Sequence, residues 1–245
     1  MPEALYDDFA EEYLAFVEQN LANTMSVLSI ARNNLLAVTG DVNDLHICDL
    51  GCGEGHLSRT LAELGSNVIG IELSAMLLDA ARERSRAYQI DFVQDDAQAL
   101  STQSDEKFEC VVSNLVLMDI PDLQAVYQSV YRILRPGGRF VFSIMHPCFQ
   151  TPETSLEIDE NDQFVSRRIM RYADEGRWYS ENKSGIRGQV GAEHRMLSTY
   201  LNKALQTGFS LQNIKEPVLD VHNDENPYAV AQTQIPAVLI IDFKK

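Results

Sequence analysis

Short apolar segments alternate with amphipathic ones along most of the chain, and this pattern predicts β-strands separated by α-helices. Most of the predicted strands are followed by a stretch of helical period, which is typical of parallel strands joined by crossover helices. The predicted strands are 46–49, 66–72, 90–94, 108–117, a segment that follows Gly138 and ends at Met145, 210–219 and 236–243. The pattern therefore predicts an α/β protein.

Two segments interrupt the alternation. Residues 3–38 have no strand character and are predicted to be helical, with one apolar face that packs on the core. The residues of that face are Leu5, Phe9, Tyr13, Phe16 and Val17. Residues 149–193 are polar and rich in charge, so we expect an insertion between the fifth strand and the next helix.

A glycine-rich turn joins the first predicted strand to its helix. Asp49 ends the strand, and Gly51, Gly53 and Gly55 alternate through the turn. Glycine lets the backbone bend sharply and lets a ligand lie directly against the main chain. The helix that follows is predicted from its leucine spacing and from a terminating glycine, at Leu57, Leu61, Leu64 and Gly65.

This turn does not fit the dinucleotide-binding pattern G-x-G-x-x-G. The third glycine position is His56 when the count starts at Gly51, and Ser58 when it starts at Gly53. Glu72 ends the next predicted strand, where a carboxylate can accept hydrogen bonds from both ribose hydroxyls of a nucleoside. The residues therefore favour a nucleoside site of another kind.

The order of these features resembles that of the class I S-adenosylmethionine-dependent methyltransferases, whose first motif is E/D-x-G-x-G-x-G. Further matches are YDDFAEEY at 6–13, DDAQAL at 95–100 and YRILRPGGRFVFSI at 131–144. The resemblance covers nearly the whole chain. It implies a doubly wound, seven-stranded, mostly parallel Rossmann-like sheet whose last two strands form a reversed hairpin at one edge. It also implies an N-terminal helical cap and a substrate lid in the insertion.

The same resemblance implies S-adenosyl-L-methionine as the cofactor. Tyr6 and Tyr13 would close over its methionine end, and Asp96 would accept a hydrogen bond from the adenine amino group. Met76, which opens the helix after the predicted N-cap Ser74, would lie against the adenine unless it is simply a core residue. The other expected contacts are Asp49, Gly51, Cys52, Gly53, Gly55, Glu72, Leu73, Ala97, Asn114 and Leu115.

Two histidines are candidate general bases, because a histidine takes up a proton near neutral pH. His146 follows the fifth predicted strand, and His194 precedes the next predicted helix. The alternative for His146, which a proline follows, is a hydrogen-bonded corner. Asp119 stands where relatives often have a histidine that faces the substrate. Residues 113–116, SNLV, lack the motif of exocyclic-amine methyltransferases, so nucleic-acid bases are not the expected acceptors.

Acidic residues outnumber basic ones by 36 to 20, which gives a formal net charge of −16. Such a charge disfavours nucleic acids and anionic membranes as partners. The insertion nevertheless contains the arginines Arg167, Arg168, Arg171 and Arg177, together with Trp178. They either bind an anionic group of a substrate or pair with the neighbouring acids Glu157, Asp159, Glu160 and Asp174.

The four cysteines lack the dense spacing of a secreted disulfide scaffold, and neither a signal peptide nor an apolar run of spanning length is present. A cytoplasmic protein is therefore expected. His46, Cys48, Cys52 and His56 surround the glycine-rich turn, but strand alternation puts the first two on a face away from the helix start, so no metal site is expected. Residues 226–228, Asn-Pro-Tyr, predict a turn.

Together these features predict one methyltransferase domain that transfers a methyl group to a small organic acceptor. Its expected parts are a helical cap at 1–40, a cofactor-binding core at 41–148, a lid insertion at 149–195, and a C-terminal helix and hairpin at 196–245. The sequence leaves the acceptor, the accepting atom and the oligomeric state open. Two alternatives remain, a non-catalytic S-adenosylmethionine-binding protein and an NAD-dependent oxidoreductase, and the missing third glycine argues against the second.

Overall fold

A seven-stranded sheet forms the centre of the computed structural model, which describes residues 4–161, 163–182, 185–220 and 226–245. Residue 3 of the predicted helical segment and residues 162, 183 and 184 of the predicted insertion lie outside this described part. The strands of the sheet are β1 (His46–Leu50), β2 (Asn67–Glu72), β3 (Ile90–Gln94), β4 (Phe108–Asn114), β5 (Leu134–Met145), β10 (Ser210–Lys215) and β11 (Val238–Lys244).

The strand order is β10-β11-β5-β4-β1-β2-β3. Strands β3, β2, β1, β4 and β5 pair in parallel, whereas β11 is antiparallel to both β5 and β10. This confirms the predicted doubly wound sheet with a reversed hairpin at one edge. The chain order reverses between β1 and β4, so the carboxyl ends of these two strands border the crevice where such sheets bind ligands.

Helices cover both faces of the sheet and bury its apolar side chains. They are α1 (Ala10–Ala22), α2 (Val27–Thr39), α3 (His56–Glu63), α4 (Ala75–Arg84), α5 (Leu123–Ile133), α6 (Ile186–Gln189), α7 (Leu197–Thr207) and α8 (Pro227–Gln234). On one face Tyr127 of α5 lies among the rings of Phe140, Phe142, Phe209 and Phe243, with centroids 6.2–6.3 Å apart. On the other face α2 and α3 pack their leucines against β1, β4 and β11.

Local signals set several helix ends. The Ser74 hydroxyl accepts the Leu77 N–H at 3.1 Å and begins α4, as expected of an N-cap. Gly208 adopts φ +113° and ends α7. The glycine-rich turn leads into α3 as predicted, but Leu64 lies just beyond that helix and is 50% exposed, so it does not extend the buried leucine face.

The N-terminal segment differs from its prediction. It forms two helices, α1 and α2, separated by a break at 23–26, and Ser26 caps the second through the Ser29 N–H at 3.1 Å. Leu5 is 41% exposed and Phe16 43% exposed, so the predicted continuous apolar face does not pack wholly on the core. Both side chains line the cavity described below, which accounts for their exposure.

The insertion contains two small antiparallel pairs and the short helix α6. Its strands are β6 (Ser155–Ile158) with β7 (Phe164–Arg168), and β8 (Gly176–Trp178) with β9 (Ala192–His194). Arg171 pairs with Glu153 and with Asp174, both at 2.8 Å, so the expected neutralisation by neighbouring acids holds for this arginine. Arg167 instead donates to the Phe149 carbonyl at 2.8 Å.

Residues 226–228 do not form the predicted turn. The Asn226 side chain accepts the Tyr228 N–H at 2.9 Å and acts as the N-cap of α8, with Pro227 as the first helical residue. Proline is well tolerated there, because the first N–H of a helix has no partner within the helix. Within the described ranges, no helix is long and apolar enough to cross a bilayer.

Candidate functional site

A cavity of about 950 Å³ opens over the carboxyl ends of β1, β2, β3 and β4. Its walls include the glycine-rich turn, the residues that follow β4, the first helical segment and the second half of the insertion. This volume lies at the upper end of the range for small-molecule sites, so the cavity has room for two ligands side by side.

The backbone of the glycine-rich turn is held in one conformation. Gly51 and Gly53 have φ angles of +72° and +55°, which favour glycine. The N–H groups of Gly51 and Cys52 donate to the Ile71 carbonyl at 2.8 and 3.0 Å, which ties the turn to β2. A Cβ atom on Gly53 would lie 3.3 Å from the Tyr13 hydroxyl, so this glycine keeps the main chain open to the cavity.

Glu72 is anchored at the end of β2. Its carboxylate accepts the Gly53 N–H at 3.0 Å, the Leu73 N–H at 2.8 Å and the Ser74 N–H at 3.0 Å. Burial raises the pKa of Glu72, and these three hydrogen bonds oppose the rise. The carboxylate therefore has a fixed orientation on the cavity wall, where the sequence places a ribose-binding acid.

Asp49 lies beneath the same turn. It is 1% exposed and accepts a hydrogen bond from the Ser58 hydroxyl at 2.6 Å. Burial raises its pKa to about 6 in spite of that hydrogen bond. The neighbouring Cys52 thiol is also buried, and burial raises its pKa as well, so this thiol stays protonated.

The two aspartates after β3 differ in their contacts. Asp95 is buried and accepts the Thr102 N–H at 2.7 Å and the Thr102 hydroxyl at 2.6 Å, so it braces the following turn. Among the described residues Asp96 accepts only from Gln98, at 2.9 Å from the main chain and 3.2 Å from the side chain, and it lines the cavity beside Ala97. Asp96 thus keeps acceptor capacity for a ligand, as the sequence motif predicts.

Asn114 presents an unpaired donor at the end of β4. Its carbonyl oxygen accepts the Ser143 hydroxyl at 2.7 Å, whereas its buried Nδ2 has no hydrogen-bond partner among the described residues. An unpaired buried N–H group is costly, so a ligand acceptor in the cavity would satisfy it. Leu115, at φ +58°, turns the chain here and also lines the cavity.

A further cluster on the cavity wall, which the sequence did not reveal as a unit, centres on Asp119. The Tyr6 hydroxyl donates to Asp119 at 3.0 Å, and Arg187 of the insertion pairs with the same carboxylate. Tyr6 and Tyr13 pack edge to face with ring centroids 5.0 Å apart. Asp119 therefore joins the first helical segment to the insertion over the cavity. The sequence signal that could have revealed this cluster is Asp119 itself, an acid at a position where relatives often have a histidine.

The structure separates the two candidate histidines. His146 is 1% exposed and is not among the cavity-lining residues, so its position favours the alternative of a hydrogen-bonded corner over the predicted role of a general base. Its Nε2 atom lies 2.8 Å from Glu216, and its Nδ1 accepts the Cys148 N–H at 3.2 Å. Both ring nitrogens are occupied, which matches the corner that the following proline suggested.

His194 is also buried but lines the cavity. Its Nε2 atom lies 2.8 Å from the Tyr172 carbonyl. A carbonyl can only accept, so Nε2 carries the proton, and Nδ1 of the neutral ring is an acceptor. Among the described residues, no side chain or main-chain group donates to Nδ1.

Two of the expected cofactor contacts lie apart from the cavity wall. Met76 is 50% exposed and does not line the cavity. Leu73 and Leu77, from the same segment, do line it. A Cβ on Gly55 would lie 2.9 Å from Phe92, so that glycine allows α3 to pack closely on β3.

The histidines and cysteines around the glycine-rich turn do not form a metal site. His46 is exposed and lies 3.4 Å from Glu109. No group of three or more metal-ligating side chains occurs in the part of the chain that the structure describes.

S-adenosylmethionine, which the sequence motifs imply, fits these residues. The glycine-rich turn offers open main chain beside Tyr13, and the unpaired Nδ2 of Asn114 offers a donor. Glu72 and Asp96 offer oriented carboxylates for hydroxyl and amino groups. The donor set therefore matches a nucleoside with a cationic amino-acid tail, whereas a pyrophosphate would meet these acids unfavourably.

Comparison with known proteins agrees with this geometry. Residues 41–185 match the family model described as methyltransferase domain. The chain is 24% identical over 184 residues to a ubiquinone biosynthesis O-methyltransferase of Pseudomonas putida, covering 69% of this chain and 78% of that protein. It is 27% identical over 208 residues to a malonyl-[acyl-carrier protein] O-methyltransferase of Pseudescherichia vulneris, covering 82% and 76%.

A solved structure shows the same architecture. The crystal structure of an S-adenosylmethionine-dependent methyltransferase from Mesorhizobium loti superimposes with a TM-score of 0.74 at 27% identity. The match covers 87% of this chain and 96% of that one, so it extends beyond the sheet into the flanking segments.

Proposed function

Because this chain belongs to the class I S-adenosylmethionine-dependent methyltransferases, we propose that it methylates a hydroxyl oxygen of a small organic acceptor. The observation that carries the proposal is the single cavity of about 950 Å³, which has the donor-binding turn on one wall and insertion side chains on another. Both relatives named above are O-methyltransferases, which supports oxygen as the accepting atom. The net charge of −16 disfavours a polyanionic acceptor.

The donor end of the cavity uses groups that the fold already orients. Bound S-adenosylmethionine supplies an electrophilic methyl group on a sulfonium sulfur. Glu72 and Asp96 would bind its hydroxyl and amino groups, the main chain at Gly53 would hold its amino-acid part, and Asn114 would donate from Nδ2. Holding donor and acceptor aligned in a site that excludes water provides much of the acceleration of such a transfer.

The acceptor end has a base within the cavity. His194 takes the proton of the acceptor hydroxyl at Nδ1, because the Tyr172 carbonyl keeps the other nitrogen protonated. The insertion (149–195) serves as the lid over this end, since Trp178, Arg187 and His194 all line the cavity.

The proposal is tested with S-adenosylmethionine labelled in the methyl group and extracts of small metabolites. We expect label in hydroxyl-bearing metabolites as methyl ethers, identified by mass spectrometry. Label found on nitrogen, sulfur or carbon, or confined to macromolecules, would contradict the proposal.

The same assay tests the base. Replacing His194 with Gln should lower kcat by about 10²–10⁴-fold, the usual contribution of general acid–base catalysis, and leave the Kd for S-adenosylmethionine unchanged. The matched control is Glu175→Gln, an exposed insertion residue outside the cavity lining, which should keep the wild-type kcat. An unchanged kcat in the His194 variant would exclude it as the base.

A further inference from the structure

Three charged side chains meet on the cavity wall formed by the insertion and by the residues after β4. Asp119, Arg187 and Arg195 all line the cavity. Burial raises the pKa of Tyr200. The charges of Asp119, Arg187 and Arg195 each shift that pKa as well, so all three lie near the Tyr200 hydroxyl. Of the two arginines, only Arg187 pairs with Asp119.

Arg187 has unused donors. Its Nη1 atom donates to Asp119 and, at 3.1 Å, to the Gly191 carbonyl. Its Nε and Nη2 atoms have no partner among the described residues, and 27% of the side-chain surface remains accessible from the cavity. A guanidinium presents Nε–H and Nη2–H as a planar fork that fits the two oxygens of a carboxylate.

Arg195 adds a charge that no acid neutralises. It is 7% exposed and donates to the carbonyls of Leu117 at 3.0 Å, Ile120 at 2.5 Å and Pro121 at 2.8 Å. These carbonyls satisfy its hydrogen bonds but not its charge, and in the described part of the chain no carboxylate lies within ion-pair distance of it. Buried charges are normally paired, so an anion in the cavity would complete this arrangement.

Asp119 cannot neutralise both arginines. One of its oxygens accepts from Arg187 and the other from Tyr6. Its carboxylate is therefore fully used in holding the side chain of Arg187 and the first helical segment in place. Arg195 is left with main-chain carbonyls as its hydrogen-bond acceptors.

We propose that Arg187, with Arg195 behind it, binds a carboxylate of the methyl acceptor, so that the substrates are small carboxylic acids that also carry a hydroxyl group. This inference rests on the proposed function, since it concerns the acceptor of the same transfer. Arg187 and Arg195 lie beyond the residues 41–185 that match the family model, which fits a role in choosing the acceptor. The donor also has a carboxylate, so the experiment must separate the two.

The test uses paired acceptors with the labelled donor and the full-length protein. The panel contains dihydroxybenzoates, hydroxyphenylacetates and short hydroxyalkanoic acids, each beside its primary amide. Methyl transfer to acids and not to their amides is expected. Equal transfer to amides would leave O-methylation standing and overturn the carboxylate site, whereas donor binding with no transfer to any hydroxyl compound would count against both proposals.

The best acid of the panel is then measured with Arg187→Gln. Loss of a charge-assisted bidentate contact should raise its KM by about 10- to 100-fold and remove the preference over the amide. Arg187→Lys should restore part of that preference, which a merely structural role would not do. Arg171→Gln, an exposed insertion arginine, is the control and should match the wild type.

The Kd for S-adenosylmethionine separates the two carboxylates. Calorimetric titration of Arg187→Gln should give the wild-type Kd within about twofold, because the acceptor and not the donor has lost its partner. A donor Kd that rises as much as the acceptor KM would mean that Arg187 binds the methionine carboxylate, and the inference would be overturned.

Discussion

Burial changes the chemistry of single side chains at this site, and Asp49 is the clearest instance. An unfolded chain titrates this aspartate near its ordinary pKa of about 3.9, whereas burial raises the folded pKa to about 6. The folded state therefore binds the proton more tightly. The stability that this group contributes is complete below about pH 4 and is lost as pH rises through about 6.

The prediction for Asp49 compares the wild type with Asp49→Asn in urea unfolding between pH 5 and pH 7.5. The asparagine resembles the protonated acid and does not titrate. As pH rises, the free energy of unfolding of the variant should therefore increase relative to that of the wild type. Between these two pH values the gain should be about 1.4 kcal/mol, because about half of the roughly 3 kcal/mol that two pKa units represent is already lost at pH 5. Parallel pH profiles would show that Asp49 titrates normally.

The sequence made His146 a candidate base, whereas the structure places it in a buried, hydrogen-bonded corner. Burial lowers its pKa, so the ring is neutral, with Nε2–H donating to Glu216 and Nδ1 accepting from Cys148. We predict that His146→Gln lowers the free energy of unfolding by about 1–3 kcal/mol, because it leaves buried groups unpaired. Its kcat should stay within about twofold of the wild type, whereas a loss as large as that of His194→Gln would restore His146 as a catalytic residue.

At the residue scale most of the residues that the sequence motifs singled out line the cavity, but the motifs did not give their hydrogen-bonded state. Asp96 and not Asp95 has acceptor capacity left, as the motif indicated. The partner of His146 Nε2 is Glu216, 70 residues away, so no local pattern could reveal that contact, whereas the contact of Nδ1 with Cys148 lies within the corner that the proline suggested.

The turn between β1 and α3 is the element to which we assign donor binding, and a substitution at Gly51 tests it. A Cβ atom added there would lie 2.5 Å from both methyl groups of Val116, and the alanine that carries it would have to adopt φ +72°. Gly51→Ala should therefore lower the free energy of unfolding by roughly 2–5 kcal/mol, which sums the strain of a positive φ and of overpacking. The measurement is urea unfolding, with the donor Kd as a second readout.

Gly137→Ala is the matched control for that variant. Gly137 has φ +81°, but its added Cβ would meet only Lys244, at an ordinary 3.8 Å. Its cost should be the positive φ alone, about 1–2 kcal/mol. In a Val116→Ala background the cost of Gly51→Ala should fall toward that of Gly137→Ala; an unchanged cost would assign the whole effect to φ.

At the element scale, periodicity predicted strands and helices better than their ends. The run 3–38 looked like one helical segment because apolar residues recur through it, yet Ser26 caps a second helix after a break. Leu5 and Phe16 belong to the same periodic pattern, but they face a cavity and not the core. Hydrophobic spacing cannot distinguish these two destinations.

Across the whole molecule, Asp119 links three parts of the chain: the first helical segment, the segment after β4 and the insertion. We predict that Asp119→Asn releases both outer parts together. Chymotrypsin should then cleave faster near Tyr6 and Tyr13 and also near Trp178, because a segment must open before it is cut.

The control for that experiment is Asp174→Asn. Asp174 pairs with Arg171 within the same insertion, but both side chains are more than half exposed, and such pairs contribute little. Its cleavage pattern should match the wild type. Faster cleavage in only one of the two segments of Asp119→Asn would show that they move independently.

The sequence by itself determined the sheet and the donor. Alternating apolar strands, the glycine spacing and the acids at strand ends are local patterns, and the carboxyl ends of parallel strands bring them together in any such sheet. Only the tertiary structure decided which side chains line the end of the cavity that we assign to the acceptor. Tyr6, Asp119 and Arg187 are separated by up to 181 positions, and their meeting depends on how the first helical segment and the insertion fold back over the sheet. No periodicity or spacing encodes that contact, so the acceptor end of the cavity was visible only in three dimensions.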